Sequence, residues 1–356
     1  MHKIKLLITV AFAVCLTACA SGPASASGRS SKNSKEPVWV SNPRAVYSET
    51  QYVSAVGYGA DRESAEKNSL GALIAIFGQS VKGDTTVSSR YVEAVRNGTV
   101  QVSENSDINK AVKSSFALDS VVGAEIKDTW NNGKVFWAVA VMDKMKGAML
   151  YSNLIDTNEQ TIASLTDISE ADANTLDAYA RFDLAATIAD TTGKFMNVLS
   201  VLNPAAAAAK RASGTFPGGD ELRASCLHIA QNIPIGIVVT DDRDGRVASA
   251  FSAAISLAGF KTGGQNSRYV LNVKITLTPV DLPNNTNKFT RYIVDAKLTD
   301  TVRNSVLLPY NLNGREGHAT MSEAENRAVR AIEQAVSTEY RKVFSDYLAQ
   351  LTTKKN

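Results

Sequence analysis

Two stretches near the carboxy-terminal end of the chain alternate strictly: Tyr269, Leu271, Val273, Ile275 and Leu277, then Tyr292, Val294, Ala296 and Leu298. A period of two over so many residues puts every apolar side chain on one face of a strand, which specifies a half-buried β-sheet and excludes a helical bundle for this part of the chain. The neighbouring signals fall into order around that pair. Ile235 to Thr240 is a short apolar strand, and Val247, Ala250, Phe251 and Ala254 form a helical stripe. Val306 to Leu312 is a third strand. Ser322-Glu323-Ala324-Glu325 reads as a capping box opening a helix with Ile332, Val336, Tyr340, Val343, Phe344, Tyr347 and Leu351 along one side. The order β-α-β-β-β-α predicts an antiparallel sheet with its helices packed on one face.

A second sheet-and-helix unit is predicted earlier in the chain, from about Pro37-Val38-Trp39-Val40. Gln51 to Tyr58 is a strand, Gly57 and Gly59 flank a turn, and Asp61 is the N-cap of a helix whose Leu70, Leu73, Ile74 and Phe77 recur at i, i+3, i+4 and i+7. Val122, Ala124 and Ile126 alternate towards Trp130, Asn131-Asn132-Gly133 supplies a turn, and the apolar run up to Met142 completes a hairpin. Residues 84–118 are polar enough to be strand or helix. Between the two units strand signals vanish and alanine rises. Ala178, Phe182, Ala185 and Ala189 share one helical face, widened by Leu184 and Ile188, while Asn203-Pro204 is the N-cap and N1 pair of a further helix that ends near Gly214. The predicted class is α+β: two sheet-and-helix domains, 37–150 and 231–356, joined by a helical connector, 151–230.

The amino terminus reads as an address. Met1-His2-Lys3-Ile4-Lys5 is basic, and the apolar run from Leu6 to Leu16 falls short of the roughly 20 residues that a membrane-spanning helix needs. It ends in Leu16-Thr17-Ala18-Cys19, which resembles the lipobox of bacterial lipoproteins. That resemblance implies a signal peptide over 1–18 and acylation of Cys19, with Ala20 favouring the outer membrane. Two or three acyl chains, at about 0.8 kcal/mol per buried methylene, anchor a protein durably. Residues 19–36 are Ser-rich and too polar to order themselves. They form a flexible tether with an end-to-end distance of about 20 to 25 Å.

Pro37-x-Trp39, Tyr52-Val53-x-Ala55-Val56-Gly57-x-Gly59 before a helix opening Glu63-Ser64-Ala65, and a Trp-rich strand running into Met142-Asp143 resemble the lipoprotein-20 family of bacterial outer-membrane lipoproteins over residues 36–150. The stretch Asp177 to Asn203 is similar, more weakly, to long spirochaete members. The resemblance implies a surface or periplasmic lipoprotein and brings no active site with it; some related lipoproteins build flagellum-associated structures. The element order of the last domain is also similar to that of small periplasmic binding modules, including those of penicillin-binding-protein activator lipoproteins.

Material for catalysis is scarce. The 356 residues hold three His and three Cys, and apart from Cys15 and Cys19 the sole thiol is Cys226, so the mature chain forms no internal disulfide. Cys226 and His228 stand two apart, a spacing that sends helical side chains to different faces. Gly57-Tyr58-Gly59 lacks the third glycine of a dinucleotide fingerprint, because Arg62 occupies its place. Gly193-Lys194 is preceded by Ile188 and followed by Phe195 where a phosphate-binding loop needs Gly and Ser or Thr. Thr240 to Gly245 resembles part of a calcium loop but starts on Thr and has Phe251 at its twelfth position. His318, with Glu316 near it, reads as a surface residue between strand and helix. No catalytic residue, cofactor or metal is therefore expected, and the near balance of 38 basic against 35 acidic residues argues against nucleic acid as a partner. The expected role is that of a non-enzymatic envelope module attached to the membrane by its lipid and bound to protein partners or to further copies of itself. The alternative is a cell-wall adaptor that binds peptidoglycan or activates a peptidoglycan synthase through 231–356.

Overall fold

The computed structural model describes residues 35–78, 85–101, 121–214, 217–242 and 244–352. It is an α+β protein with two sheets. Cys19, the signal peptide and the tether as far as residue 34 lie outside the described residues, as does the stretch from 102 to 120.

The predicted start at Pro37 is a single helical turn, α1 (Val38–Ser41), whose Trp39 is buried. Strand β1 (Tyr52–Gly59) leads into α2 (Arg62–Ile76), capped by Asp61, whose carboxylate accepts the Ser64 N–H at 2.7 Å. The ambiguous polar stretch is helical at its beginning, in α3 (Thr85–Arg96). Strands β2 (Glu125–Asn131) and β3 (Phe136–Asp143) form the predicted hairpin, with Gly133 at φ +89° and the Asn132 side chain accepting the N–H groups of Lys134 and Val135. The sheet order is β1-β3-β2, antiparallel throughout. Being central, β3 is covered on both faces, which explains why its sequence is continuously apolar rather than alternating.

Four helices follow: α4 (Lys144–Thr166), α5 (Leu176–Leu202), α6 (Pro204–Ser213) and α7 (Gly219–Asn232). Asn203 caps α6 as its sequence foretells, accepting the Ala206 N–H at 3.0 Å. One hydrophobic cluster runs from Val53 on β1 through Leu73, Tyr151, Leu184 and Leu199 to Leu222 on α7, so α4 and α5 share the core of the small sheet. Inside it a polar chain crosses three helices. The Tyr91 hydroxyl donates to Asn158 Oδ1 at 2.9 Å, and Asn158 Nδ2 donates to the Thr192 hydroxyl at 3.0 Å.

The second sheet is built from β4 (Ile235–Thr240), α8 (Arg246–Leu257), the short β5 (Thr262–Gly263), β6 (Tyr269–Val280), β7 (Lys288–Asp300) and β8 (Ser305–His318), in the order β5-β4-β6-β7-β8. It is mixed rather than wholly antiparallel. Strand β4 runs parallel to β5 and β6, because α8 carries the chain back to the end at which β4 began. The third strand extends beyond the predicted Leu312, to His318.

The last helix corrects the sequence reading in two places. The N-cap of α9 (Met321–Ala335) is Thr320, not Ser322: its hydroxyl accepts the Glu323 N–H, while the Thr320 N–H donates to His318 Nδ1. Two overlapping Ser/Thr-x-x-Glu signals stood in the sequence, and the one adjoining the strand end won. A π-turn (Val336–Tyr340) then joins α9 to α10 (Arg341–Gln350). Ile332, Val336, Tyr340, Phe344 and Leu348 are all buried at a constant step of four, and the wider π-turn absorbs the drift that such a step accumulates on a regular helix. These residues and α8 cover one face of the large sheet, with Tyr340 packed edge-on against Phe251 and Tyr310 at centroid distances of 4.8 and 5.2 Å.

Candidate functional site

Every motif singled out within the described residues has a structural occupation. Gly57 and Gly59 let α2 approach β1. A methyl group at Gly57 would fall on the backbone of Asn68 and Ser69, and one at Gly59 would lie 2.6 Å from Ser64 Cβ. The G-x-G pair is thus a helix-to-strand contact, and its second residue, Tyr58, is the exposed one. Cys226 is buried with its sulfur 3.9 Å from the Tyr179 carbonyl, and burial, with Asp183 nearby, pushes its thiol up to about 12. His228 is exposed and faces Asn232, so the pair does not meet. Gly193-Lys194 lies inside α5. In the acidic loop before α8, Asp242 accepts the Ala248 N–H at 2.8 Å, and Arg246 forks onto Glu333 of α9. His318 is the last residue of β8 and caps Thr320.

A more informative feature lies on the other face of the small sheet. Along β1, Val53 and Ala55 turn towards α2, while Tyr52, Val56 and Tyr58 turn away from it. All three tryptophans of the chain gather on that outward face. Trp39 folds back over Val139 and Val141 and donates its indole N–H to Asp128 Oδ2 at 3.0 Å. Trp130 and Trp137 are register partners with ring centroids 5.0 Å apart, and Tyr58 pairs with Trp137 from the opposite side, so one row across three strands is aromatic. Tyr47 packs edge-on against Tyr52 at 6.0 Å, and its hydroxyl is raised above its ordinary range, first by burial and then by Asp128. The cluster is not closed. Tyr58, in the aromatic row, is 68 % exposed, and in the segment before β1 Val38 is 60 % and Val46 49 % exposed. The resemblance motif contained Trp39, Tyr52 and the Trp-rich strand, but which face they share depends on strand pairing. The available signal was a strand apolar on both alternations, Tyr52-Val56-Tyr58 as well as Val53-Ala55.

A cleft of about 200 Å³ opens between α3, α5 and the end of α10, lined by Arg90, Glu93, Leu184, Asp346 and Thr352 among others. Ligand pockets run from roughly 300 Å³. Two of its charged residues are already paired, Arg90 with Asp183 at 2.7 Å and Asp346 with Lys342 at 2.5 Å. Among the described residues, no group of three or more His, Cys, Asp and Glu side chains is placed to hold a metal ion, and no helix is long and apolar enough to cross a membrane.

No family model matches the chain, and no curated protein matches it. Solved structures to which it is similar include a minor lipoprotein from Acinetobacter baumannii, at 15 % identity and a TM-score of 0.25, covering 33 % of this chain and 90 % of that one. A secreted protein from Helicobacter pylori is similar at 11 % identity and a TM-score of 0.40, covering 81 % of this chain and 98 % of that one. The neighbours are bacterial lipoproteins and secreted proteins. At these scores they decide nothing about the chemistry of this chain.

Proposed function

We propose that this chain is a lipid-anchored envelope protein, held at the outer membrane through Cys19, that acts as a protein-binding or assembly module and not as an enzyme. The open aromatic face of the small sheet is the observation that carries this proposal. Trp and Tyr are the residues that dominate protein interfaces, and the exposed Tyr58, paired with Trp137, supplies such a surface on the sheet, while Val38 and Val46 are exposed in the segment that precedes β1. The lipobox residues support the anchor, and the tether lets the face turn towards a partner. A self-assembling envelope structure is the form favoured here, and some lipoproteins related to the resembled family build flagellum-associated ones.

The cell-wall adaptor reading rests on the element order of 231–356, and a protein or glycan interface there would need exposed aromatics. Tyr269, Tyr292, Tyr310 and Tyr340 there are turned into the core. The weight therefore falls on the first sheet.

A brief in-cell crosslink, followed by purification of the lipidated chain through a carboxy-terminal tag, tests the proposal. A ladder of subunit multiples, or one discrete partner band, is expected, and Tyr58→Asp should reduce it about tenfold at unchanged protein level. Uncrosslinked monomer alone, or a ladder indifferent to Tyr58→Asp, would overturn it. Cys19→Ala should abolish fatty-acid labelling.

A further inference from the structure

The open face of the large sheet carries a second feature, distant in character from the aromatic surface and independent of it. Arg291 on β7 and Arg315 on β8 are direct register partners, and Thr278 on β6 is the partner of Arg291 from the other side. All three are exposed and lie in one row. Directly opposed residues of an antiparallel pair stand with their Cβ atoms about 4.5 to 5.5 Å apart, and like charges there are destabilising. Neither guanidinium forms an ion pair with a carboxylate among the described residues. The nearest acid along the same face of β7, Asp295, is engaged by Lys297 at 3.2 Å and stands opposite Lys274. Glu316, next to Arg315 in sequence, alternates to the inner face.

Charge on an edge strand can serve to prevent sheet-to-sheet pairing. That accounts for Arg315 on the edge strand β8, but Arg291 stands on β7, inside the sheet. Arg315 is also held in place: its guanidinium lies over the Phe289 ring at 5.6 Å, and that ring occupies the space over Gly317 where any larger residue would collide with it. A pinned guanidinium, a second one opposite it and a hydroxyl in the same row form a cradle of hydrogen-bond donors with a charge of about two. A carboxylate would neutralise half of that charge. A phosphate monoester carries about −1.5 to −2 at neutral pH and offers three acceptor oxygens that match forked guanidinium donors.

We infer that Thr278, Arg291 and Arg315 form a binding site for a phosphate group on the open face of the large sheet. The same chemistry could be met in a lipid headgroup or in a soluble phosphate, and the test separates the two. The thermal midpoint of the full-length lipidated chain is followed in neutral detergent, with inorganic phosphate against sodium chloride of matched ionic strength, and again in mixed micelles containing phosphatidic acid. Phosphate should raise the midpoint by about 2 to 4 °C. The double variant R291Q/R315Q should lose that shift and melt no lower than the native chain in chloride, since it relieves the like-charge pair. Each single variant, R291Q or R315Q, should move the phosphate titration about tenfold to higher concentration. The single variants keep the test decisive if the double variant does not fold. A response to both phosphate sources assigns the group itself; a response to phosphatidic acid alone assigns a lipid headgroup. Equal shifts in native and variant chains, or no shift with either source, would overturn the inference.

Discussion

The two sheets solve the same problem with different economies. The small one, β1-β3-β2, is apolar on both faces: one closes against α2, α4 and α5, and the other ends in an aromatic cluster that stays partly open. The large one closes a single face under α8, α9 and α10 and presents Lys, Arg, Asn and Thr to water on the other. An apolar face left partly exposed is the commoner mark of a macromolecular contact, and a polar face can be left to water or to small charged ligands. The difference shows where to look for macromolecular contacts and where to look for small charged ligands.

The sharpest way to break this comparison is with glycine. Gly57 on the small sheet and Gly314 on the large one both lack room for a methyl group, but the obstacles differ: the backbone of Ser69 at Gly57, and the far end of the Tyr292 side chain at Gly314. Gly57→Ala should lower stability by about 3 kcal/mol, because α2 must move away from β1, and Gly314→Ala by only about 1 kcal/mol, because a ring can turn. Denaturant midpoints check the ratio. Equal losses would mean that the small sheet tolerates helix displacement as readily as the large one tolerates a ring shift.

Two buried tyrosines give a smaller contrast of opposite sign. The Tyr91 hydroxyl is satisfied by Asn158, so Tyr91→Phe should destabilise by about 1 to 2 kcal/mol by leaving Asn158 short of a donor. The Tyr340 hydroxyl, under the large sheet, is buried without a hydrogen-bond partner among the described residues, and burial, followed by Tyr310 beside it, raises its pKa. Tyr340→Phe should be neutral or stabilising by up to about 1 kcal/mol, as read from thermal midpoints. A loss there would reveal a partner for that hydroxyl.

The mildest effect concerns acid. Burial pushes the Asp300 carboxyl up, but the Arg268 guanidinium at 3.1 Å and the N–H groups of Val302 and Arg303 hold it, on balance, below its ordinary value. A depressed carboxyl contributes stability that is present above the unfolded pKa, at about pH 4, and is lost as pH falls through the folded value. Asp300→Asn should therefore flatten the acid limb of a stability curve below about pH 4 and leave its shape at neutral pH unchanged.

Much of the fold was legible in the chain. The alternation of β6 and β7, the cap of α2 at Asp61, the Asn203-Pro204 start of α6 and the Asn132-Gly133 turn all depend on neighbours within a few residues, and local chemistry decides such features. The reading failed where two local signals competed, as with Thr320 against Ser322, or where a turn changes its period, as at Val336 to Tyr340. The parallel pairing of β4 depends on a crossover, which sequence patterns do not orient.

The sequence by itself determined the element order, the α+β class and the scarcity of His and Cys, because periodicity and composition are properties of short windows. Only the tertiary structure decided which residues share a surface. The row Tyr58-Trp137-Trp130 joins residues from three strands separated in sequence by α2, α3 and a hairpin turn, and the pair Arg291-Arg315 depends on one strand register. A slip of a single residue would send either set to the opposite face. Pairing register is fixed by the packing of the whole sheet, and no short window of sequence contains it.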